Sequence, residues 1–252
     1  MTYFADNILK SKHCFFGCSG GVSGGKYASL NTNLSSQDSV TNIEHNFAII
    51  ARHFNLQKAQ MFTMRQSVSA NVVWAEKPSR FTITADGAAT NREDILLCIE
   101  TADCAPVLLA DYRQGIIGAA HAGWRGTVKG VVENVVQLML DKGAKKQDIS
   151  AAIGPCMQQK SFEVKNDMRQ VFLEQSPQND KYFTTVDNIT YFFDLPAYIM
   201  DKLHTIGVEN VSNSAIDTYT STDEYFSYRR YCHLNLIDVP KDYPTQFSCI
   251  RL

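Results

Sequence analysis

Ile95-Leu96-Leu97-Cys98-Ile99 and Pro106-Val107-Leu108-Leu109-Ala110 are two short apolar runs, and between them lies the polar break Thr101-Ala102-Asp103-Cys104. Runs of this length without polar alternation read as strands buried on both faces. Arg113-Gln114-Gly115 then supplies a turn, and Ile116-Ile117-Gly118-Ala119-Ala120 a third strand that ends at His121. Gly123-Trp124-Arg125-Gly126 breaks the strand pattern. After it, Val128, Val131, Val132, Val135, Val136 and Met139 recur at spacings of three and four, which predicts one helix with Gly143 as its stop. Valine is a mediocre helix former, so this helix depends on burial rather than propensity.

Working outward, residues 43–54 carry Ile43, Phe47, Ile50, Ala51 and Phe54 at helical spacing, with His45 and His53 on the opposite, solvent side. A strand over residues 149–153 ends at Gly154-Pro155, helices are expected near 164–174 and 196–206, and a strand near 246–250 closes the chain. Gly20-Gly21-Val22-Ser23-Gly24-Gly25 lacks the ending of a phosphate-binding P-loop and reads as a tight loop. Strands and helices mix without a strict βαβ rhythm, so the expected class is α+β, with mixed sheets packed against helices. No repeat or linker composition interrupts residues 1–252, which are read as one domain.

The bulk numbers exclude several functions. A net charge of −2 gives no electrostatic footprint for nucleic acid or an anionic membrane surface. No run approaches the ~18 consecutive apolar residues of a membrane span, and residues 1–12 lack a signal-peptide pattern, so the cytoplasm is the expected compartment. The seven cysteines are odd in number and irregular in spacing, which argues against a disulfide framework.

Pairing the second and third strands as a hairpin brings their outer ends together, and with them Cys104 and His121. A thiol beside an imidazole supports a nucleophilic dyad or a shared metal such as zinc. Taken by themselves, the same two residues read more readily as a buried structural cysteine and a hydrogen-bonded histidine at a strand end.

Thr101-Ala102-Asp103-Cys104-Ala105-Pro106-Val107-Leu108-Leu109-Ala110-Asp111, followed by Ala119-Ala120-His121-Ala122-Gly123-Trp124-Arg125-Gly126, resembles the laccase-domain family. That family is also described as multicopper polyphenol oxidase-like, and its members as purine nucleoside phosphorylases and peptidoglycan-editing factors. Further blocks resemble it along nearly the whole chain: Gly20-Gly21-Val22-Ser23 with Asn31, Ala85-Asp86-Gly87, Ile153-Gly154-Pro155 and Phe226-Ser227-Tyr228-Arg229-Arg230. The resemblance implies a laccase-domain fold, related to that of a cytotoxic-necrotizing-factor-like cysteine hydrolase. It implies a metal, zinc or copper, held by two histidines and a cysteine, with Cys104 and His121 as two of the ligands and as the catalytic pair. It also implies phosphorolysis of purine nucleosides or deamination of adenosine, with nucleoside and phosphate as the small-molecule partners. Asn31, Arg125 and Arg229 match blocks that could bind ribose or phosphate, an arginine fork being suited to phosphate oxygens.

The chain departs from the family pattern at telling places. Val68 stands where the first histidine ligand belongs, and valine cannot bind a metal. Cys18 replaces an arginine, Asp217 replaces a cysteine, and the segment over residues 231–245 is longer than usual. Low metal occupancy is therefore expected, unless Cys18 or His13 supplies the missing ligand. The alternatives are a metal-free Cys–His hydrolase or amidase, including peptidoglycan-precursor editing, and a non-catalytic binding protein. Six histidines, at 13, 45, 53, 121, 204 and 233, do not provide the set a multicopper oxidase needs.

Overall fold

The computed structural model describes residues 1–187 and 189–252. In chain order it runs β1 (Tyr3–Phe4), β2 (Lys12–Phe16), α1 (Val40–His53), β3 (Met61–Arg65), β4 (Val72–Trp74), β5 (Ser79–Thr84) and β6 (Gly87–Thr90). Next come β7 (Leu96–Thr101), β8 (Ala105–Asp111), β9 (Ile116–Ala122), α2 (Trp124–Val128), α3 (Val131–Asp141) and β10 (Ile149–Ile153). The rest is β11 (Glu163–Val164), α4 (Asn166–Gln175), β12 (Phe183–Thr185), β13 (Tyr191–Phe193), α5 (Leu195–Thr205), β14 (Asn210–Asn213), α6 (Tyr228–His233) and β15 (Gln246–Arg251).

Two six-stranded mixed sheets, ordered β1-β2-β15-β7-β3-β5 and β14-β10-β8-β9-β6-β4, stack face to face. Leu97, Ile99, Phe15 and Ile250 of the first meet Leu108, Ala110, Ile117 and Ala119 of the second. The outer face of the first sheet, with Cys14, Phe16, Leu96, Cys98 and Phe247, packs on Ile43, Phe47 and Ile50 of α1. The outer face of the second, with Val107, Leu109 and Ala120, packs on the valine stripe of α3 and on Tyr198, Ile199 and Leu203 of α5. Helix, sheet, sheet and helix thus form four layers. Both faces of β7, β8 and β9 lie inside, which is why their sequences are continuously apolar.

Phe47 shows how the outermost layer is held. It is fully buried and stacks on Phe247 at 5.3 Å between ring centroids. Phe47→Ala is expected to cost about 3–5 kcal/mol in urea unfolding, the range for truncating a core aromatic. A loss under about 1 kcal/mol would mean that α1 is not anchored this way.

The helix expected from Val128 onward is two helices. Gly130 adopts φ +90 between α2 and α3, a left-handed conformation that glycine takes without strain. Val128 therefore belongs to the end of α2, and the stripe of α3 begins at Val131. His45 is exposed as expected, whereas His53 is half-buried, edge-on to Phe16. The loop around Gly21 is tight: a Cβ there would lie 2.2 Å from the Ser29 carbonyl oxygen. Among the described residues, no helix is long and apolar enough to cross a membrane.

Candidate active site

The break between β7 and β8 is fixed by Asp103, which sits at φ +87. Its buried carboxylate accepts from Thr218 Oγ1 at 2.7 Å and from the Arg229 amide at 2.7 Å. Its carbonyl accepts from the Met157 amide at 2.9 Å. Burial pushes this carboxyl up from the usual range, against those hydrogen bonds. With the turn held, the antiparallel register of β8 and β9 sets Ala105 opposite Ala122 and Pro106 opposite His121. Cys104 consequently lies beside the His121 ring, close enough for the two groups to act on each other electrostatically. Gly123 leaves room for them: a Cβ there would sit 3.0 Å from Cys104 Sγ, 3.6 Å from Val68 Cγ1 and 3.7 Å from His121 Cε1.

His121 is oriented from behind by Asp86, immediately before β6. Its Nδ1 lies 2.9 Å from Asp86 Oδ1, which leaves Nε2 as the ring nitrogen available on the Cys104 side. Asp86 also gathers the loop over residues 67–69, accepting from the amides of Ser67 (3.1 Å), Val68 (3.0 Å) and Ser69 (2.7 Å) and from Ser69 Oγ (2.6 Å). Burial works against the carboxylate, but these donors and the imidazole hold Asp86 well below the usual carboxylate range. Burial likewise opposes a charged His121, yet Cys104 and Asp86 outweigh it and push the imidazole up to about 10. The three groups form a thiol–imidazole–carboxylate line, the order of a nucleophile, its base and the group that orients the base.

Cys104, His121 and Val68 open into a cavity of about 520 Å³, also lined by Arg65, Glu100, Lys241 and Tyr243. The volume suits a small organic ligand. Sequence reasoning missed five groups here: Asp86, Glu100, Arg65, Lys241 and Tyr243. The unusually long segment over residues 231–245 was the available signal for the last pair, since it delivers Lys241 and Tyr243 to the cavity wall.

The residues present do not fit a zinc or copper centre. Among the described residues, no three His, Cys, Asp or Glu side chains converge as a metal site. Cys104 and His121 are two donors, and Val68 adds a methyl group. His13 is no substitute: Nε2 accepts from the Asp6 amide and Nδ1 donates to the Ser11 carbonyl, both at 2.8 Å. Cys18 is buried and donates to the Asp223 carbonyl at 3.3 Å.

Three residues named from the sequence for ribose or phosphate lie outside this cavity. Asn31 is fully buried; its Nδ2 donates to Ser36 and Asp38, and its Oδ1 accepts from the amides of Asn33 and Thr245. It braces a loop and has no atom left for ribose. Arg125 is exposed, with its guanidinium 4.1 Å over the Trp124 ring, because α2 turns it away from the cavity. Arg229 donates through Nη1 to the Glu163 carbonyl at 3.1 Å. Neither arginine is among the residues lining the cavity, and the cations that do line it are Arg65 and Lys241. Asp217, in place of a cysteine, accepts from Ser161 Oγ at 2.5 Å and lies outside this cavity.

A family model described as multi-copper polyphenol oxidoreductase laccase matches residues 12–234. The purine nucleoside phosphorylase of Rickettsia conorii is 38% identical over 196 residues, 77% of this chain and 80% of its own length. That of Rickettsia prowazekii is 34% identical over 212 residues, 84% of this chain and 85% of its own. A solved structure of a Neisseria meningitidis protein of the DUF152 family superposes with a TM-score of 0.89 at 28% identity, covering 100% of this chain and 99% of that one. The fold is thus the single α+β domain with mixed sheets seen in that structure.

Proposed function

The chain belongs to the multi-copper polyphenol oxidoreductase laccase family, and on that premise we propose that it cleaves purine nucleosides by phosphorolysis in the Cys104–His121 cavity. The observation that carries this reading is one concave site in which the side chains of His121, Cys104, Arg65 and Lys241 meet. The name borne by the two Rickettsia relatives supports it. In phosphorolysis a phosphate oxygen bonds to C1′ of the ribose while the C1′–N9 bond breaks. The electron pair leaves with the base, which takes up a proton. Cys104 and Asp86 favour the protonated form of His121, which is suited to the phosphate charge, and Arg65 and Lys241 add charge to the cavity wall. Tyr243 and Phe81 offer flat faces to a purine. No step is assigned to a metal, because the donor set lacks a third member.

A second reading rests on the Cys104–His121–Asp86 line. There the Cys104 sulfur would add to an amide carbon, or to C6 of adenosine. The departing amine would take the His121 proton, and water would release the product, giving a hydrolase or deaminase. Cys104→Ser separates the two. It should lower amine release more than about 10³-fold under the second reading, and leave ribose 1-phosphate formation within about tenfold under the first. Purified protein that yields no ribose 1-phosphate from adenosine, inosine or methylthioadenosine with phosphate sinks the phosphorolytic proposal.

A further inference from the structure

Glu100 lies near the end of β7, four residues before Cys104, on the wall of the same cavity. Its backbone is clamped at both ends by Gln66, whose Nε2 donates to the Glu100 carbonyl at 2.6 Å and whose Oε1 accepts from the Glu100 amide at 2.8 Å. That clamp fixes the side chain's origin. The carboxyl group meets the Thr245 hydroxyl, and Thr245 Oγ1 is in turn 3.0 Å from Thr32 Oγ1. Among the described residues, no lysine or arginine forms an ion pair with Glu100.

Neutral hydroxyl partners matter because each can donate or accept. They accommodate a protonated carboxyl and a carboxylate alike, whereas the amide donors around Asp86 tolerate only the charged form. Desolvation accordingly pushes Glu100 up to about 7, against Thr245, His121 and Thr32. The other ionisable groups facing the cavity are Arg65 at the end of β3, Cys104, His121 on β9, and Lys241 and Tyr243 ahead of β15. Asp86 and Glu100 are thus two carboxyls of one site driven in opposite directions, a pattern that separates a fixed charge from a proton donor.

We propose that Glu100 is the general acid that protonates the departing purine, an inference that rests on the phosphorolytic reading. As the C1′–N9 bond breaks, the Glu100 O–H gives its proton to a ring nitrogen of the base. The resulting carboxylate is received by Thr245 and regains a proton from water. Activity therefore falls as pH rises through about 7, where Glu100 loses the proton it must donate.

The test compares adenosine with p-nitrophenyl β-riboside, whose leaving group departs without a proton, in full-length protein with inorganic phosphate. Glu100→Gln should lower kcat on adenosine by about 10²- to 10³-fold, with KM within about twofold, and change the p-nitrophenyl substrate by less than about threefold. Thr245→Val, which removes a donor to the carboxylate, should move the alkaline limb of the wild-type profile to higher pH. Equal losses on both substrates, no loss on either, or an unmoved limb in Thr245→Val overturns the assignment. A wild-type protein that releases p-nitrophenol and ribose 1-phosphate but leaves adenosine intact removes the Glu100 role alone. One that phosphorolyses neither riboside removes the underlying reading as well.

Discussion

Val68→His is expected to raise zinc affinity more than about 100-fold over the natural chain, and to bring bound metal close to one ion per molecule. The backbone is already shaped for the change. Val68 sits at φ +58, where a β-branched residue is an outlier and histidine is several-fold enriched. Its amide is tied to Asp86, and its Cγ1 lies in the group around Gly123 with Cys104 Sγ and His121 Cε1. A histidine there would face the free Nε2 of His121 and the Cys104 sulfur, completing the two-histidine, one-cysteine set with an open fourth position. Loss of a group that merely orients a ligand costs about 10- to 100-fold in affinity, so restoring a ligand should exceed that. Strain relief should also keep the metal-free variant at least as stable as the parent, since a residue forced into this region costs about 1–3 kcal/mol. Elemental analysis and zinc titration of both proteins check this, with Val68→Ala as control. Equal metal content in the histidine and alanine variants would show that the loop does not aim residue 68 at the pair.

What the sequence made legible follows from where polar and apolar side chains had to separate. β7, β8 and β9 were readable because burial on both faces leaves uninterrupted apolar runs, and their hairpin register then forces Cys104 beside His121. β6 was not readable. Gly87-Ala88-Ala89-Thr90 has little strand propensity, yet all four residues are buried. Gly87 is small because α3 lies directly on it: a Cβ there would come within 2.5 Å of Val135 Cγ2. The site shows the same division. Cys104, His121 and the gap at Val68 are carried by local motifs. Asp86 belonged to a recognisable block, but nothing in its neighbours indicates that it reaches His121, 35 residues away. Glu100 looks like an interruption in an apolar strand until Thr32 and Thr245, from distant segments, close around it. The arginines show the opposite relation. Arg125 and Arg229 lie next to the right motifs in sequence, but α2 and the contact with Glu163 turn their side chains elsewhere.

Asp86→Asn should be the most damaging single change in the site, lowering activity by about 10⁴-fold and the melting temperature by roughly 6 to 20 °C. The kinetic loss follows from the His121 ring. An ionised Asp86 accepts from Nδ1 and leaves Nε2 available on the Cys104 side, whereas an amide can present its NH2 and favour the wrong tautomer. The stability loss follows from the loop. Three backbone amides and two hydroxyls point at this carboxylate, and an amide nitrogen facing them repels what an oxygen attracted. Removing one partner of a buried charge pair typically costs about 3–5 kcal/mol, which gives the temperature range for a chain of this size. The pH dependence has a definite sign. Asp86 is lowered in the folded state, so its contribution is full above its unfolded value of 3.8 and fades as pH falls below it. His121 is raised, so its contribution is full below 6.5 and is lost as pH climbs toward about 10. Wild-type unfolding free energy should therefore decline from pH 6.5 upward. Asp86→Asn should flatten that decline in part, since Cys104 still faces the ring. Urea titrations at several pH values, alongside kcat, provide the check. A variant within about tenfold of wild-type activity and with an unchanged slope would mean that His121 is held by the fold around it and not by Asp86.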